Sequence, residues 1–83
     1  MTDFRNDEAE SRYELARGEH IAYADYRLEG EQLFIDYVFS PPELRGTGAA
    51  SDLMQHIVDE ASSKPLSITP ICGYAKHWLE KNS

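Results

Sequence analysis

The fold open to this chain is limited most by residues 39–50, FSPPELRGTGAA, where a strand-like run gives way to a helical pattern. The run before this junction, residues 32–39, is nearly continuously apolar, as expected of a central strand. After it, apolar residues recur every three or four positions over residues 48–62, which indicates an amphipathic helix of about four turns. The sequence therefore predicts a strand that enters a helix through a short loop rich in proline and glycine.

Two further segments before the junction have the spacing of strands. Residues 12–16 and residues 20–28 place aromatic and aliphatic side chains at strand-like intervals, and glycine-containing turns follow each of them. Together with residues 32–39, these segments predict a three-stranded antiparallel meander.

The segments after the long helix are shorter. Pro65 ends that helix because it has no N–H to continue the hydrogen-bond ladder. Residues 66–69 then predict a short strand that runs parallel to residues 32–39, because a helix connects the two strands. Residues 73–81 predict a last short helix, with Tyr74, Ala75 and Trp78 facing inward. The expected fold class is α+β, with an antiparallel meander, a strand–helix–strand crossover and a C-terminal short helix.

Length and charge limit the domain organisation and the partners. The 83 residues suffice for one small domain, which we expect at residues 12–83, after a flexible acidic N-terminal tail at residues 1–11. A net charge of -7 disfavours binding to nucleic acid or to an anionic membrane surface and suits a cationic partner. One cysteine and the lack of an apolar run near the roughly 20 residues of a membrane span indicate a cytoplasmic protein.

The loop at the junction has the chemistry of an anion site. The first N–H groups of a helix lack intrahelical partners and carry partial positive charge. Gly46 and Gly48 let an anion approach the backbone, and Arg45 can bind a phosphate through two hydrogen bonds. Pyrophosphate fits this combination best. The alternative is a sharp turn followed by an ordinary helix start, since glycine-rich turns are common.

Residues 45–50, RGTGAA, resemble the R/Q-x-x-G-x-G/A pyrophosphate loop of the Gcn5-related N-acetyltransferases, with Arg45, Gly48 and Ala50 at the pattern positions. Residues 41–50, P-P-x-L-R-G-x-G-x-A, and residues 70–74, P-x-C-x-Y/F, resemble the minimal single-domain members of that superfamily. The resemblance covers about residues 12–83.

This resemblance implies an N-acetyltransferase that uses acetyl-coenzyme A, with coenzyme A as the product. The acceptor would be a primary amine of a small molecule or of a protein lysine, and we expect a monomer or weak dimer. The thioester would lie between two splayed parallel strands, residues 32–39 and 66–69. The implied cofactor-binding residues are Val38, Phe39, Arg45, Gly46, Thr47, Gly48, Ala49, Ala50, Cys72 and Tyr74.

Candidate catalytic residues are Cys72 and Asp36. Cys72 precedes the last helix, whose N-terminus favours a thiolate, and it could accept the acetyl group or only lie near the cofactor sulfur. Its alternative role is that of a small buried apolar residue. Asp36, in an otherwise apolar strand, is a candidate base or else a solvated carboxylate on the less covered sheet face. Tyr74 could donate to a departing thiolate or belong to the core.

Other functions fit parts of the sequence. Minimal members of the superfamily usually carry a His-Thr pair where this chain has Asp36-Tyr37, and a His-Pro-Glu-like ending that it lacks. These departures favour, as an alternative, a coenzyme A-binding or protein-interaction module with weak or no transfer. The charge alone suggests an acidic regulatory protein with a basic partner. The three histidines are too far apart in sequence for zinc-ligand spacing, so we expect no metal.

Overall fold

Regular structure covers most of the chain in the computed structural model, which describes residues 3–82. Five strands form one sheet, and two α-helices pack on one of its faces. The strands are β1 (Phe4–Asp7), β2 (Arg12–Arg17), β3 (His20–Glu29), β4 (Gln32–Phe39) and β5 (Ser67–Pro70). The helices are α1 (Ala49–Ser63) and α2 (Gly73–Asn82), and a 3-10 turn covers Pro42–Leu44.

The sheet has the order β1-β2-β3-β4-β5. Neighbours pair antiparallel from β1 to β4, whereas β4 and β5 pair in parallel from Gln32 with Ser67 to Ile35 with Pro70. The predicted α+β class, the meander from β2 to β4 and the parallel crossover through α1 are confirmed. The ends of these strands and helices differ by one residue at most from the sequence-based bounds.

The N-terminal segment is an exception, because residues 4–7 form a strand where the sequence indicated a flexible tail. Phe4 points to the helix-covered face, where its ring stacks on Tyr13 at 5.7 Å and on His56 of α1 at 4.9 Å between ring centroids. On the other face, Arg5 Nε donates to Glu14 at 2.7 Å. One aromatic anchor and an ion pair thus fix a segment whose composition resembles that of a disordered tail. Residues 1 and 2 of the predicted tail lie outside the described residues.

A single core lies between the sheet and the two helices. Alternation along β2, β3 and β4 directs small and aliphatic side chains to it, and α1 contributes the stripe that its period predicted. The largest fully buried side chains are Leu15, Leu33, Ile35, Leu53, Met54 and Ile57. No helix within residues 3–82 has the length and apolar character that crossing a bilayer requires.

The last helix, α2, buries two residues in this core, whereas the sequence predicted three. Ala75 and Trp78 are buried, as predicted, but Tyr74 is 40% exposed and does not belong to the core. Ala75 and Trp78 lie three residues apart and share one side of the helix, while Tyr74 lies on a neighbouring side. The indole N–H of Trp78 donates to Ser51 Oγ at 2.8 Å and joins α2 to the first turn of α1.

Candidate functional site

The parallel strands β4 and β5, at one edge of the sheet, separate partway along β4. Their pairing ends at Ile35 and Pro70, and the N–H groups of Ile71 and Cys72 then both donate to the Ile35 carbonyl, at 2.9 and 3.0 Å. From there the chain turns into α2, while β4 continues to Phe39. Within residues 3–82, the last three residues of β4, residues 37–39, therefore have a strand partner on the β3 side only, and Asp36 has none.

A cavity of about 400 Å³ lies beside this part of β4. Its walls are the end of β4, the loop that follows, the first turn of α1 and one side chain of α2. The lining residues are Tyr37, Val38, Phe39, Ser40, Leu44, Arg45, Gly46, Gly48, Ala49, Ala50, Ser51 and Tyr74. Eight of the ten residues predicted to bind the cofactor line it, and the two that do not are Thr47 and Cys72.

The loop is held in shape by its own hydrogen bonds. Thr47 Oγ1 donates to the Leu44 carbonyl and accepts from the Ala49 N–H, so its side chain is used within the loop. Gly46 and Gly48 have φ angles of 83° and 84°, in the left-handed region that glycine tolerates best. Gly48 is the N-cap of α1, and its conformation turns the chain from the loop into the helix.

Several backbone N–H groups at this helix start have no partner. The first α-helical bond runs from Asp52 N–H to the Gly48 carbonyl, at 2.9 Å. Among the described residues, the N–H groups of Gly48, Ala50 and Ser51 find no acceptor. Because all three residues line the cavity and the helix dipole adds positive charge there, this end of the cavity suits an anion.

Arg45 adds a charged group to the same end. Its Nε donates to the Ser40 carbonyl at 3.1 Å, and no carboxylate of the described residues lies within 4.0 Å of its guanidinium. All the other arginines of the chain have such a carboxylate, namely Arg5, Arg12, Arg17 and Arg27. In a chain with 15 acidic residues, Arg45 is thus the arginine left available to an external anion.

Tyr74 forms the part of the wall that belongs to α2. Partial burial raises the pKa of its phenol, so the hydroxyl stays protonated at neutral pH and can donate a hydrogen bond or a proton. The sequence assigned Tyr74 both to a possible donor role and to the core. The structure places it at the cavity, where the donor role is available.

The two residues predicted to be catalytic do not line the cavity. Cys72 is half-buried against the core and directly precedes α2, as the sequence indicated. Asp36 lies on the sheet face that carries no helix, where Arg27 binds its carboxylate through Nε at 2.9 Å and through a terminal nitrogen at 3.1 Å. The structure brings neither side chain to the cavity, and their catalytic roles stay predictions.

A bulge at Asp36 changes the faces of the β4 residues that follow it. Tyr26 pairs with Ile35 and Asp25 with Tyr37, so Asp36 has no partner in β3. The extra residue shifts the alternation, which keeps Ile35 and Val38 on the helix side and puts Tyr37 on the open side. Strict alternation from Phe34 would have placed each of the last three residues of the strand on the opposite face of the sheet.

The sequence did not single out four lining residues, Tyr37, Ser40, Leu44 and Ser51. Ser40 Oγ is buried and has no hydrogen-bond partner among the described residues. The position of Tyr37 depends on the bulge, which has no clear sequence signal. Nothing in the sequence distinguishes Leu44 from an ordinary loop residue. Ser51 could have been found, because it follows Ala50 in the first turn of the predicted helix.

Three comparisons with known proteins bear on this site. The sequence model of the GCN5-related N-acetyltransferases matches residues 12–83. The NMR solution structure of a GCN5-like protein from Staphylococcus aureus is 25% identical, with a TM-score of 0.68 over 99% of this chain and 83% of that one. No curated protein is significantly similar to the chain.

Proposed function

The chain belongs to the GCN5-related N-acetyltransferase family, and from this premise we propose that it transfers acetyl from acetyl-coenzyme A to a primary amine. One observation carries the proposal. The unpaired guanidinium of Arg45 and the free N–H groups of Gly48, Ala50 and Ser51 meet at one end of a cavity that continues along the free edge of β4.

The anionic end of the cosubstrate would occupy the loop. The N–H groups at the start of α1 and the Arg45 guanidinium would donate to the pyrophosphate oxygens, and the left-handed glycines would keep Cβ atoms away from the anion. Thr47 would act indirectly, since its hydroxyl holds the loop in the conformation that exposes these N–H groups.

The pantetheine would run along β4 beside Val38 and Phe39, toward the opening between β4 and β5. There a neutral amine would add to the thioester carbonyl, forming the C–N bond as the C–S bond breaks. The departing thiolate needs a proton, and the protonated Tyr74 hydroxyl is the donor that the cavity provides. The proton lost by the amine nitrogen would pass to the tyrosinate or to solvent.

The acceptor would approach from the open face of the sheet. Tyr37 and Phe39 line the cavity and continue onto that face toward Tyr23, whose ring centroid lies 5.2 Å from that of Phe39. The Arg12 guanidinium already lies 4.0 Å from the Tyr23 ring centroid, so this surface accommodates a cation. With a net charge of -7, the protein should attract a positively charged amine.

Calorimetric titration with acetyl-coenzyme A and with coenzyme A tests the cofactor part of the proposal. Arg45→Ala should weaken both by about 1–3 kcal/mol, the range for a hydrogen bond to a charged group, or about 5- to 150-fold in Kd. Arg27→Ala is the matched control, because that guanidinium binds Asp36 on the open face and should leave both affinities unchanged. The proposal fails if the wild-type protein binds neither compound, or if both variants behave alike.

A second function is favoured by the positions of Cys72 and Asp36, which lie outside the cavity. It is a coenzyme A-binding or protein-interaction module with weak or no transfer. Release of free thiol from acetyl-coenzyme A in the presence of diamines and lysine peptides separates the two functions. Tight binding with release no faster than the amine-free background would favour the module. If transfer occurs, an unchanged rate in Cys72→Ala would exclude an acetyl-cysteine intermediate.

A further inference from the structure

A second cavity adjoins the first on the side of α2. Its volume is about 420 Å³, and its lining residues are Ser51, Tyr74, His77, Trp78, Lys81 and Asn82. Ser51 and Tyr74 line both cavities, and Ser51 lies at the anion-binding end of the first, so a ligand bound at that end can extend a second group toward the second cavity. Tyr74, His77 and Lys81 follow one another at three- and four-residue spacing and share one side of α2.

The charges around the two cavities differ from those of the rest of the surface. Five of the eight lysines and arginines have a carboxylate within 4.0 Å among the described residues, namely Arg5, Arg12, Arg17, Arg27 and Lys64. The other three are Arg45, Lys76 and Lys81. Arg45 lines the first cavity and Lys81 the second, and within residues 3–82 no carboxylate lines either one. Two cations without a carboxylate partner among residues 3–82 thus line adjoining cavities in a protein of net charge -7.

A polar donor lies where the two cavities meet. Ser51 Oγ accepts from the Trp78 indole N–H at 2.8 Å, and its own O–H donates to no group among the described residues. A hydroxyl whose lone pair is occupied in this way has its proton free for another acceptor. Ser51 can therefore donate from its backbone N–H and from its side chain to a ligand that passes between the cavities.

We propose that the second cavity binds a second phosphate of the same ligand, separate from the pyrophosphate at Arg45. This inference rests on the proposed function. In coenzyme A the group is the 3′-phosphate of the ribose, a monoester that carries about -1.5 to -2 charges at neutral pH, as other phosphate monoesters do. Lys81 would bind it as a point charge, with His77 and Ser51 as hydrogen-bond donors.

The test compares the affinities for coenzyme A and for dephospho-coenzyme A, which lacks only the 3′-phosphate, by calorimetry at one salt concentration. The wild-type protein should bind coenzyme A about fivefold or more tightly, as expected for exposed charge-assisted contacts. Lys81→Met should lower this ratio toward one, since only the donors His77 and Ser51 remain, and should leave the affinity for dephospho-coenzyme A unchanged. Lys76→Met removes the same charge from an exposed position of α2 that lines neither cavity, and it should preserve the ratio.

Three outcomes would contradict the second phosphate site, and the measurements distinguish them. Equal wild-type affinities for the two compounds would overturn the second phosphate site and leave the proposed function intact. A loss in Lys76→Met as large as that in Lys81→Met would also overturn it, because the effect would then come from overall charge. If the protein binds neither compound, the proposed function fails, and the second site fails with it.

Discussion

Replacing Gly48 with alanine should show whether backbone strain in the loop lowers the stability of the fold or the affinity for coenzyme A. Gly48 has a φ angle of 84°, and an added Cβ would meet no atom within 4 Å. The cost is therefore backbone strain, about 1–2 kcal/mol for an L-residue in the left-handed region. Gly18, in the turn between β2 and β3, has a φ angle of 62° and is equally open around the added Cβ. Gly18→Ala is thus a matched control outside the cavity lining.

The strain should affect different quantities in the two variants, namely the free energy of unfolding and the Kd for coenzyme A. If the loop keeps its left-handed residue in Gly48→Ala, the strain lowers the free energy of unfolding. If the loop relaxes, the ligand must restore the bound shape, and the Kd for coenzyme A rises by about 5- to 30-fold, the equivalent of 1–2 kcal/mol. In Gly18→Ala only the unfolding free energy can fall. The smaller entropy of unfolded alanine offsets part of the loss equally in both variants.

Urea unfolding and calorimetric titration of both variants provide the two quantities. For Gly48→Ala we expect the losses in unfolding and binding free energy to sum to about 1–2 kcal/mol, less the entropic offset. For Gly18→Ala we expect an unchanged affinity. A Gly48→Ala variant that matches the wild-type protein in both measurements would refute the requirement for a left-handed residue. A weakened affinity in Gly18→Ala would refute the localisation of the effect to the cavity.

Two further predictions concern the fold. Phe4→Ala should lower the free energy of unfolding by about 1–2 kcal/mol, since the half-buried ring loses its contacts with Tyr13 and His56. Arg5→Ala, on the open face, should shift the urea midpoint much less, and equal shifts would contradict the anchoring of β1 by Phe4. Burial also raises the pKa values of Tyr13 and Tyr26, so the unfolded state loses these protons first and stability should fall as the pH rises above about 10. Tyr13→Phe should reduce this alkaline loss, and an unchanged pH dependence would contradict a native phenol with a raised pKa.

The order of most elements and the position of the loop could be predicted from sequence because their signals are local. The switch from the apolar run of β4 to the helical period of α1 lies within residues 39–50, and Pro65 marks the end of the helix. The left-handed glycines and the unpartnered N–H groups follow from the same short stretch. Arg45 was a candidate from its sequence position alone, although its lack of a carboxylate partner needed the structure.

The features that could not be predicted depend on residues far apart in sequence. Phe4 joins the sheet because Tyr13 and His56 provide a surface for it, and its own surroundings in sequence are acidic and polar. Tyr37 and Val38 lie on the faces opposite to those that alternation predicts, because β4 bulges against β3, which no local pattern shows. Tyr74 and Trp78 have similar sequence signals, and only the docking of α2 decides which of them is buried.

The last helix, α2, packs on the core with one side and lines the two cavities with another. Ala75 and Trp78 hold it to the core, whereas Tyr74, His77 and Lys81 line the cavities and contribute little to the packing. Substitutions at the second set can therefore accumulate during divergence without loss of the fold, while substitutions at the first set cannot. Ligand preference and stability can thus evolve separately within one helix of ten residues.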